Sequence, residues 1–191
     1  MRVLDLGCGT RKHPASIGAD LHALPGVDVV CDLTRFPYPF ATNSVDVIHL
    51  NHVIEHMDDP VRVLEEAWRI TRSGGKVYVR VPHCTGRYAW KDPTHRRAFT
   101  SESFGYFGEN PYSYYTTARF AVSSVRLKYF LESPSRRLYR LWGALVQLLL
   151  DRHPTFFERF LAYLVGGIDE IRTVLETRKG EEHELCTDAT K

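Results

Sequence analysis

Three histidines of this 191-residue chain, His56, His83 and His95, are placed where a neutral imidazole could take a proton near pH 7. His56 shares a short turn with Asn51, His52 and Glu55, the densest polar cluster that follows an apolar run. His52 and His56 are four residues apart and share a face if the segment is helical. The order H-x-x-E-H is that of the inverted zinc motif, but here it follows a short strand instead of lying inside a long helix, so no metal is assigned. His83 and His95 belong to the stretch Pro82–Phe107, which also holds Arg87, Tyr88, Trp90, Lys91, Asp92, Arg96, Arg97 and Phe99. That is more chemistry than a connector needs, and functional residues concentrate on loops. The alternatives are that each histidine is a loop hydrogen-bonder, and that Asp92 or Glu55 orients an acceptor with no base.

A second set lies earlier. Val3-Leu4-Asp5-Leu6 reads as a buried strand that runs into Gly7-Cys8-Gly9-Thr10. Gly7 and Gly9 allow backbone angles that a side chain forbids and let a ligand approach the main chain. Ligands of open α/β sheets bind beyond the carboxyl ends of the strands, so this turn marks a ligand site. A pyrophosphate cradle wants G-x-G-x-x-G opening a helix. The chain has no third glycine at that place, and Thr10 to Ala15 are too few for a normal crossover helix. The ligand is therefore expected to lack a pyrophosphate, which disfavours a nicotinamide oxidoreductase.

These residues need elements to hold them. Residues 16–20 read as strand two, ending in Asp20. Residues 27–31 read as strand three, followed by Asp32 and Leu33, and residues 45–50 as strand four. Asp59 is a good N-cap and Pro60 suits the first helical position, so a helix is predicted over Pro60–Arg72, ended by Gly74-Gly75. Strand five follows over Lys76–Val81. This β-α-β unit predicts a parallel sheet. Thr100-Ser101-Glu102 caps a short helix through Phe107, and residues 111–117 read as loop. Phe120–Phe130 and Ile168–Arg178 read as strands six and seven. Between them lie two amphipathic segments, Arg136–Leu150 and Thr155–Val165. Leu138, Leu141, Trp142, Leu145, Leu148 and Leu149 form a wide apolar stripe. Packing on the sheet is the simpler expectation. A lid, a dimer surface or a lipid-facing patch edged by Arg136, Arg137 and Arg140 is the sharper one.

V-L-D-L-G-C-G-T (Val3–Thr10) resembles the first motif of class I S-adenosylmethionine-dependent methyltransferases. Asp20 resembles that family's acidic residue for the ribose hydroxyls, and Cys31-Asp32-Leu33 its adenine-edge motif. N-H-V-I-E-H-M-D-D-P (Asn51–Pro60) and R-S-G-G-K-V-Y-V (Arg72–Val79) resemble the fourth- and fifth-strand motifs. The resemblance covers roughly residues 1–130. D-P-T-H-x-x-x-F-T (Asp92–Thr100) is similar to a segment of small members linked to saccharide or secondary-metabolite pathways. Most members place a helix or two before the first strand, whereas here that strand begins at residue 3, which suggests either a minimal form or a truncation.

The resemblance implies an α/β fold: a doubly wound, mostly parallel seven-stranded sheet with the last strand antiparallel, here with a helical insertion at about 134–166. It implies one methyltransferase domain over 1–180 and leaves 181–191 as a polar tail. It implies S-adenosyl-L-methionine as cofactor, held by Asp5, Gly7, Cys8, Gly9, Asp20, Leu21, Asp32, Leu33, Asn51 and His52. The catalytic candidates are His95, His56 and His83. The expected acceptor is an O or N group on a small molecule of the saccharide or secondary-metabolite kind, with a carbon acceptor left open. The rival is a non-catalytic S-adenosylmethionine-binding regulator.

Charge adds a direction. The net formal charge is +2, but residues 81–159 hold 12 basic and 6 acidic residues, a local excess of +6. That field favours an anionic partner. The charges are spread over many elements with no nucleic-acid module, so nucleic acid is not the expected partner. The four cysteines lie without a C-x-x-C pair, so neither a disulfide framework nor a zinc site is expected. No signal peptide is read, no run reaches the roughly 20 apolar residues a membrane span needs, and a cytoplasmic enzyme is expected.

Overall fold

Each parallel strand pairs with the next only if the chain returns to the same edge, and here it returns four times. The computed structural model describes residues 1–108, 113–131 and 137–179. Its elements are β1 (Val3–Leu6), β2 (Ile17–Asp20), β3 (Val29–Val30), β4 (Val45–Asn51), α1 (Pro60–Ile70), β5 (Thr71–Pro82), α2 (Arg87–Lys91), β6 (Phe120–Lys128), α3 (Arg137–Arg152), α4 (Pro154–Phe156) and β7 (Glu170–Thr177). They form one seven-stranded sheet in the order β3-β2-β1-β4-β5-β7-β6. β1 to β5 are mutually parallel, and β7 runs antiparallel to both β5 and β6. The strand order reverses at β1–β4, where the glycine turn and the Asn51–His56 turn lie side by side.

All four residues of β1 are buried, as a central strand requires. No helix joins β1 to β2: residues 7–16 form turns and bends, as their number predicts. α1 follows its capping logic. Asp59 Oδ1 accepts the Arg62 N–H at 3.0 Å, Pro60 stands at N1, and Val63, Leu64, Ala67 and Ile70 are buried. Those side chains pack with Ile48, Val77 and Val79 in the main core. Truncating one of them, such as Leu64→Ala, is expected to cost about 2–5 kcal/mol.

Three expectations need correction. α1 ends at Ile70 rather than at Gly74-Gly75. Thr71 is already extended, its Oγ1 donates to the Ala67 carbonyl at 2.7 Å, and β5 begins there. Gly74, at φ +74°, serves the irregular start of β5, where the register with β4 shifts. β3 is only two residues long. The apolar stripe of α3 does not pack wholesale on the sheet. Only Gly143, Val146 and Leu150 are buried. A Cβ on Gly143 would lie 2.5 Å from the Phe130 ring, so the glycine sets how closely α3 approaches. Leu138, Leu141, Leu145, Leu148 and Leu149 are exposed, as are Phe156, Phe160, Tyr163 and Leu164 beyond. Arg136, Cys186, the tail 181–191 and part of the 111–117 loop lie outside the described residues.

Candidate active site

Gly7 and Gly9 have φ values of +69° and +52°, in the left-handed region that glycine tolerates. A Cβ at Gly7 would lie 2.5 Å from Val53 Cγ2, whereas one at Gly9 would project into open space. The first glycine lets the turn nestle against the end of β4. The second leaves open space beside the turn. Asp5 is buried, and its Oδ2 accepts the His13 N–H at 2.7 Å, which folds the 7–13 segment back over β1. Burial pushes the Asp5 carboxyl up, and the His13 bond offsets part of that. Cys8 is buried.

Asp20 ends β2 beside that turn. Its Oδ2 accepts the Gly9 N–H at 2.8 Å and its Oδ1 the His22 N–H at 3.1 Å. Each carboxylate oxygen accepts two bonds, so Asp20 keeps capacity for a diol. Leu21 is exposed next to it, an apolar wall at the mouth. Asp32 is engaged locally: its Oδ1 accepts the Thr34 N–H at 2.9 Å and the Thr34 hydroxyl at 2.7 Å. Leu33 is buried and gives its carbonyl to Tyr38. Asn51 lies one step beyond the Leu6–Leu50 pair, which sets it beside Gly7. Its Oδ1 is buried without a hydrogen-bond partner. An orphaned buried acceptor is costly, and at the end of a central strand it fits a donor brought by a ligand.

His52 takes a different place from the one expected. It sits at φ +55°, with Nδ1 3.2 Å from Glu55 Oε1 and Nε2 2.9 Å from Glu170 Oε1. The Glu170 bond first, then Glu55, raise its pKa to about 9. His52 is therefore an imidazolium at neutral pH, with both ring nitrogens committed.

The three catalytic candidates separate. His56 and His95 come together, their rings edge to face with centroids 4.7 Å apart. The backbone N–H groups of Arg96 and Arg97 donate to the Glu55 carbonyl at 2.7 and 3.2 Å, and Arg96 pairs with Asp58. These contacts fold the 92–97 loop over the 54–56 turn. His83 is fully buried elsewhere. Its Nδ1 accepts the Thr85 N–H at 3.1 Å, which assigns the proton to Nε2, where it donates to Glu158 Oε1 at 2.8 Å. Glu158 also accepts from the Ser101 N–H and hydroxyl. Burial pushes the Glu158 carboxyl up, but the His83 and Ser101 bonds outweigh it and hold it at about 2. A cavity of about 270 Å³ lies here, lined by Cys84, Thr85, Thr100, Glu102, Glu158 and Arg159 among others.

Sequence reading missed Glu158 and Glu170. The signal for Glu158 was one carboxylate in the aromatic run Thr155-Phe156-Phe157-Glu158-Arg159-Phe160, and for Glu170 an acid opening an apolar strand.

Comparison with known proteins follows the same outline. Residues 4–79 match the family model described as a methyltransferase domain. A demethylmenaquinone methyltransferase of Renibacterium salmoninarum is 33% identical over 41% of this chain and 40% of its own. A ubiquinone/menaquinone biosynthesis C-methyltransferase of Bdellovibrio bacteriovorus is 42% identical over 28% of this chain and 23% of its own. An uncharacterized methyltransferase of a Mycobacterium species is 30% identical over 64% and 57%. The chain thus spans roughly a quarter to somewhat over half of these relatives. Among solved structures, an S-adenosylmethionine-dependent methyltransferase of Archaeoglobus fulgidus matches 92% of this chain and 85% of its own at a TM-score of 0.57 and 18% identity. The methyltransferase-domain match thus falls on the glycine turn and the first strands, and the fold as a whole is similar to that of a solved S-adenosylmethionine-dependent methyltransferase.

Proposed function

We propose that this chain transfers a methyl group from S-adenosyl-L-methionine to an oxygen or nitrogen nucleophile of a small-molecule acceptor. The observation that carries the reading is the buried, unpartnered Oδ1 of Asn51 beside the Gly7–Gly9 turn, with the Asp20 carboxylate on the turn's other side. Asp20 would hold the ribose hydroxyls, Leu21 and the Asp32-Leu33 segment the adenine, and Asn51 the ammonium of the methionine part. The cofactor supplies a methyl group already activated by a sulfonium. The protein's work is to hold the nucleophile about 3 Å from that carbon and in line with the breaking bond. His56 and His95 stand at the carboxyl ends of β4 and β5 and provide the proton acceptors. The basic excess of residues 81–159 supports an anionic acceptor, such as a saccharide or secondary metabolite carrying an acid group. Among the described residues Cys8, Cys31 and Cys84 are free thiols, which suits a cytoplasmic setting.

A second reading has an observation of its own. The exposed leucines of α3 and the aromatics after it suit an apolar acceptor or a lipid surface. Two relatives are quinone methyltransferases by name. Among the described residues no helix is long and apolar enough to cross a membrane, so such contact would be peripheral.

The test is label transfer from methyl-labelled S-adenosylmethionine to a panel of acidic saccharides, phenols, amines and quinols. Transfer to an oxygen or nitrogen acceptor is expected. Transfer to quinols alone favours the second reading. Cofactor binding with no transfer to any acceptor would make the chain a regulator instead.

A further inference from the structure

We propose that Glu55, His56 and His95 form a binding site for a divalent transition-metal ion with the preferences of zinc. One ligand atom from each of the three lies within 4.8 Å of the others. The inference stands on this cluster and does not depend on methyl transfer; with an ion bound the lone pairs of His56 and His95 are taken, so the two histidines serve as proton acceptors only in the metal-free chain.

The hydrogen bonds around the cluster fix which atoms are available. His95 Nδ1 lies 3.1 Å from the Ala89 carbonyl, which can only accept. Nδ1 therefore carries the proton and Nε2 a lone pair. The Thr94 hydroxyl donates to Asp92 Oδ1 at 2.7 Å, so toward His56 Nδ1, 2.9 Å away, it acts as acceptor. His56 is thus also protonated on Nδ1 and bears its lone pair on Nε2. Both tautomers are set by outer partners, as is usual for metal-ligating histidines. Glu55 is completely buried. One of its oxygens accepts from His52, and the other, Oε2, has no hydrogen-bond partner.

The cluster thus brings two imidazoles, each with a lone pair on Nε2, together with a buried carboxylate oxygen that has no hydrogen-bond partner. A buried carboxylate oxygen left unpaired is costly, and a cation among the three residues would satisfy it. Two imidazoles and a carboxylate suit zinc and its neighbours, whereas magnesium and calcium prefer oxygen-only sets. In a tetrahedral zinc site with bonds near 2.0–2.1 Å, ligand atoms stand about 3.3 Å apart, so loading would draw the cluster in. The exposed Arg96–Asp58 pair holds the loop that carries His95, and the partial exposure of both histidines gives an entry path. The H-x-x-E-H spacing supplies Glu55 and His56, but His95, not His52, completes the set.

The experiment is titration of the chelator-stripped full chain with Co²⁺, read by visible absorption, and with Zn²⁺, read by calorimetry. One equivalent is expected to bind. His56→Ala, His95→Ala and Glu55→Gln should each weaken binding by more than about 100-fold, beyond what losing a supporting partner costs. His153→Ala, an exposed histidine elsewhere, should leave it unchanged. Circular dichroism and thermal melts report the fold of each variant. If Glu55→Gln does not fold, the two histidine variants decide. Absence of saturable binding in folded wild type, or binding unaffected by His56→Ala and His95→Ala, overturns the site.

Discussion

Glu158→Gln tests whether the segment after α4 is fastened to the sheet by one carboxylate. Glu158 accepts from His83, from the Ser101 N–H and from the Ser101 hydroxyl, and its side chain is 14% exposed. Despite burial, those bonds hold its pKa at about 2 against a reference of 4.5. The gap of 2.5 units corresponds to a ceiling of about 3 kcal/mol, at 1.36 kcal/mol per unit. A depressed carboxylate pKa contributes stability that is present above the unfolded value, 4.5, and is lost as pH falls through about 2. At pH 3 about 2 of those kcal/mol are already gone. Gln keeps the shape but loses the charge that strengthens each bond, at about 1.5–3 kcal/mol near neutrality. For a chain of this size that corresponds to roughly 4–10 °C in Tm. Urea unfolding followed by circular dichroism at pH 6 and pH 3 gives both numbers. The wild type should exceed the variant by about 2–3 kcal/mol at pH 6 and by about 1 at pH 3. An equal gap at both pH values, or none at pH 6, would refute the clamp.

Other substitutions probe other joints. Gly7→Ala adds a Cβ at φ +69° and 2.5 Å from Val53; denaturant melts should show a loss of about 2 kcal/mol or more, with ligand stabilisation abolished. His49 stacks between His13 and Tyr78, and burial first, then the His13 and Arg80 charges, lower its pKa to about 4. Its contribution is therefore complete above pH 6.5 and falls away toward pH 4. Proton NMR should show one imidazole titrating near 4, and His49→Gln should flatten the stability profile between pH 6.5 and 4. Replacing Leu141, Leu145 and Leu148 by Ser should cost under about 1 kcal/mol, because these side chains are already exposed. The same triple variant should reduce any association with phospholipid vesicles, read by co-sedimentation.

The parallel half of the fold was legible because each signal is local. Val3–Leu6 with Gly7 and Gly9, and Asp59-Pro60 before an apolar period, are each set within a few residues. The end of α1 was misread because tertiary pairing of Thr71 with Val45 overrode the glycine signal three residues later. The exposed face of α3 was misread because periodicity reports that a helix is amphipathic, not that the sheet has room for it. Gly143 against Phe130 shows how narrow the actual seat is. At the site, glycine spacing and the strand-end acid singled out Gly9 and Asp20, which the fold joins through the bond from the Gly9 N–H to Asp20 Oδ2. The chain brings His95 to His56 across 39 residues through backbone bonds to Glu55, and Glu170 to His52 across 118. Such pairings leave no mark on local spacing, so the sequence could name the histidines but not their partners.

The most direct test of the account is thermal unfolding with and without S-adenosylhomocysteine, beside NAD, on wild type and Asp20→Ala. At about 100 times its dissociation constant the homocysteine ligand should add about 2.7 kcal/mol, or roughly 5–10 °C in Tm. NAD should add nothing, and Asp20→Ala should shrink the shift. No shift at saturating S-adenosylhomocysteine, or an equal one with NAD, would contradict the assignment of the glycine-turn site.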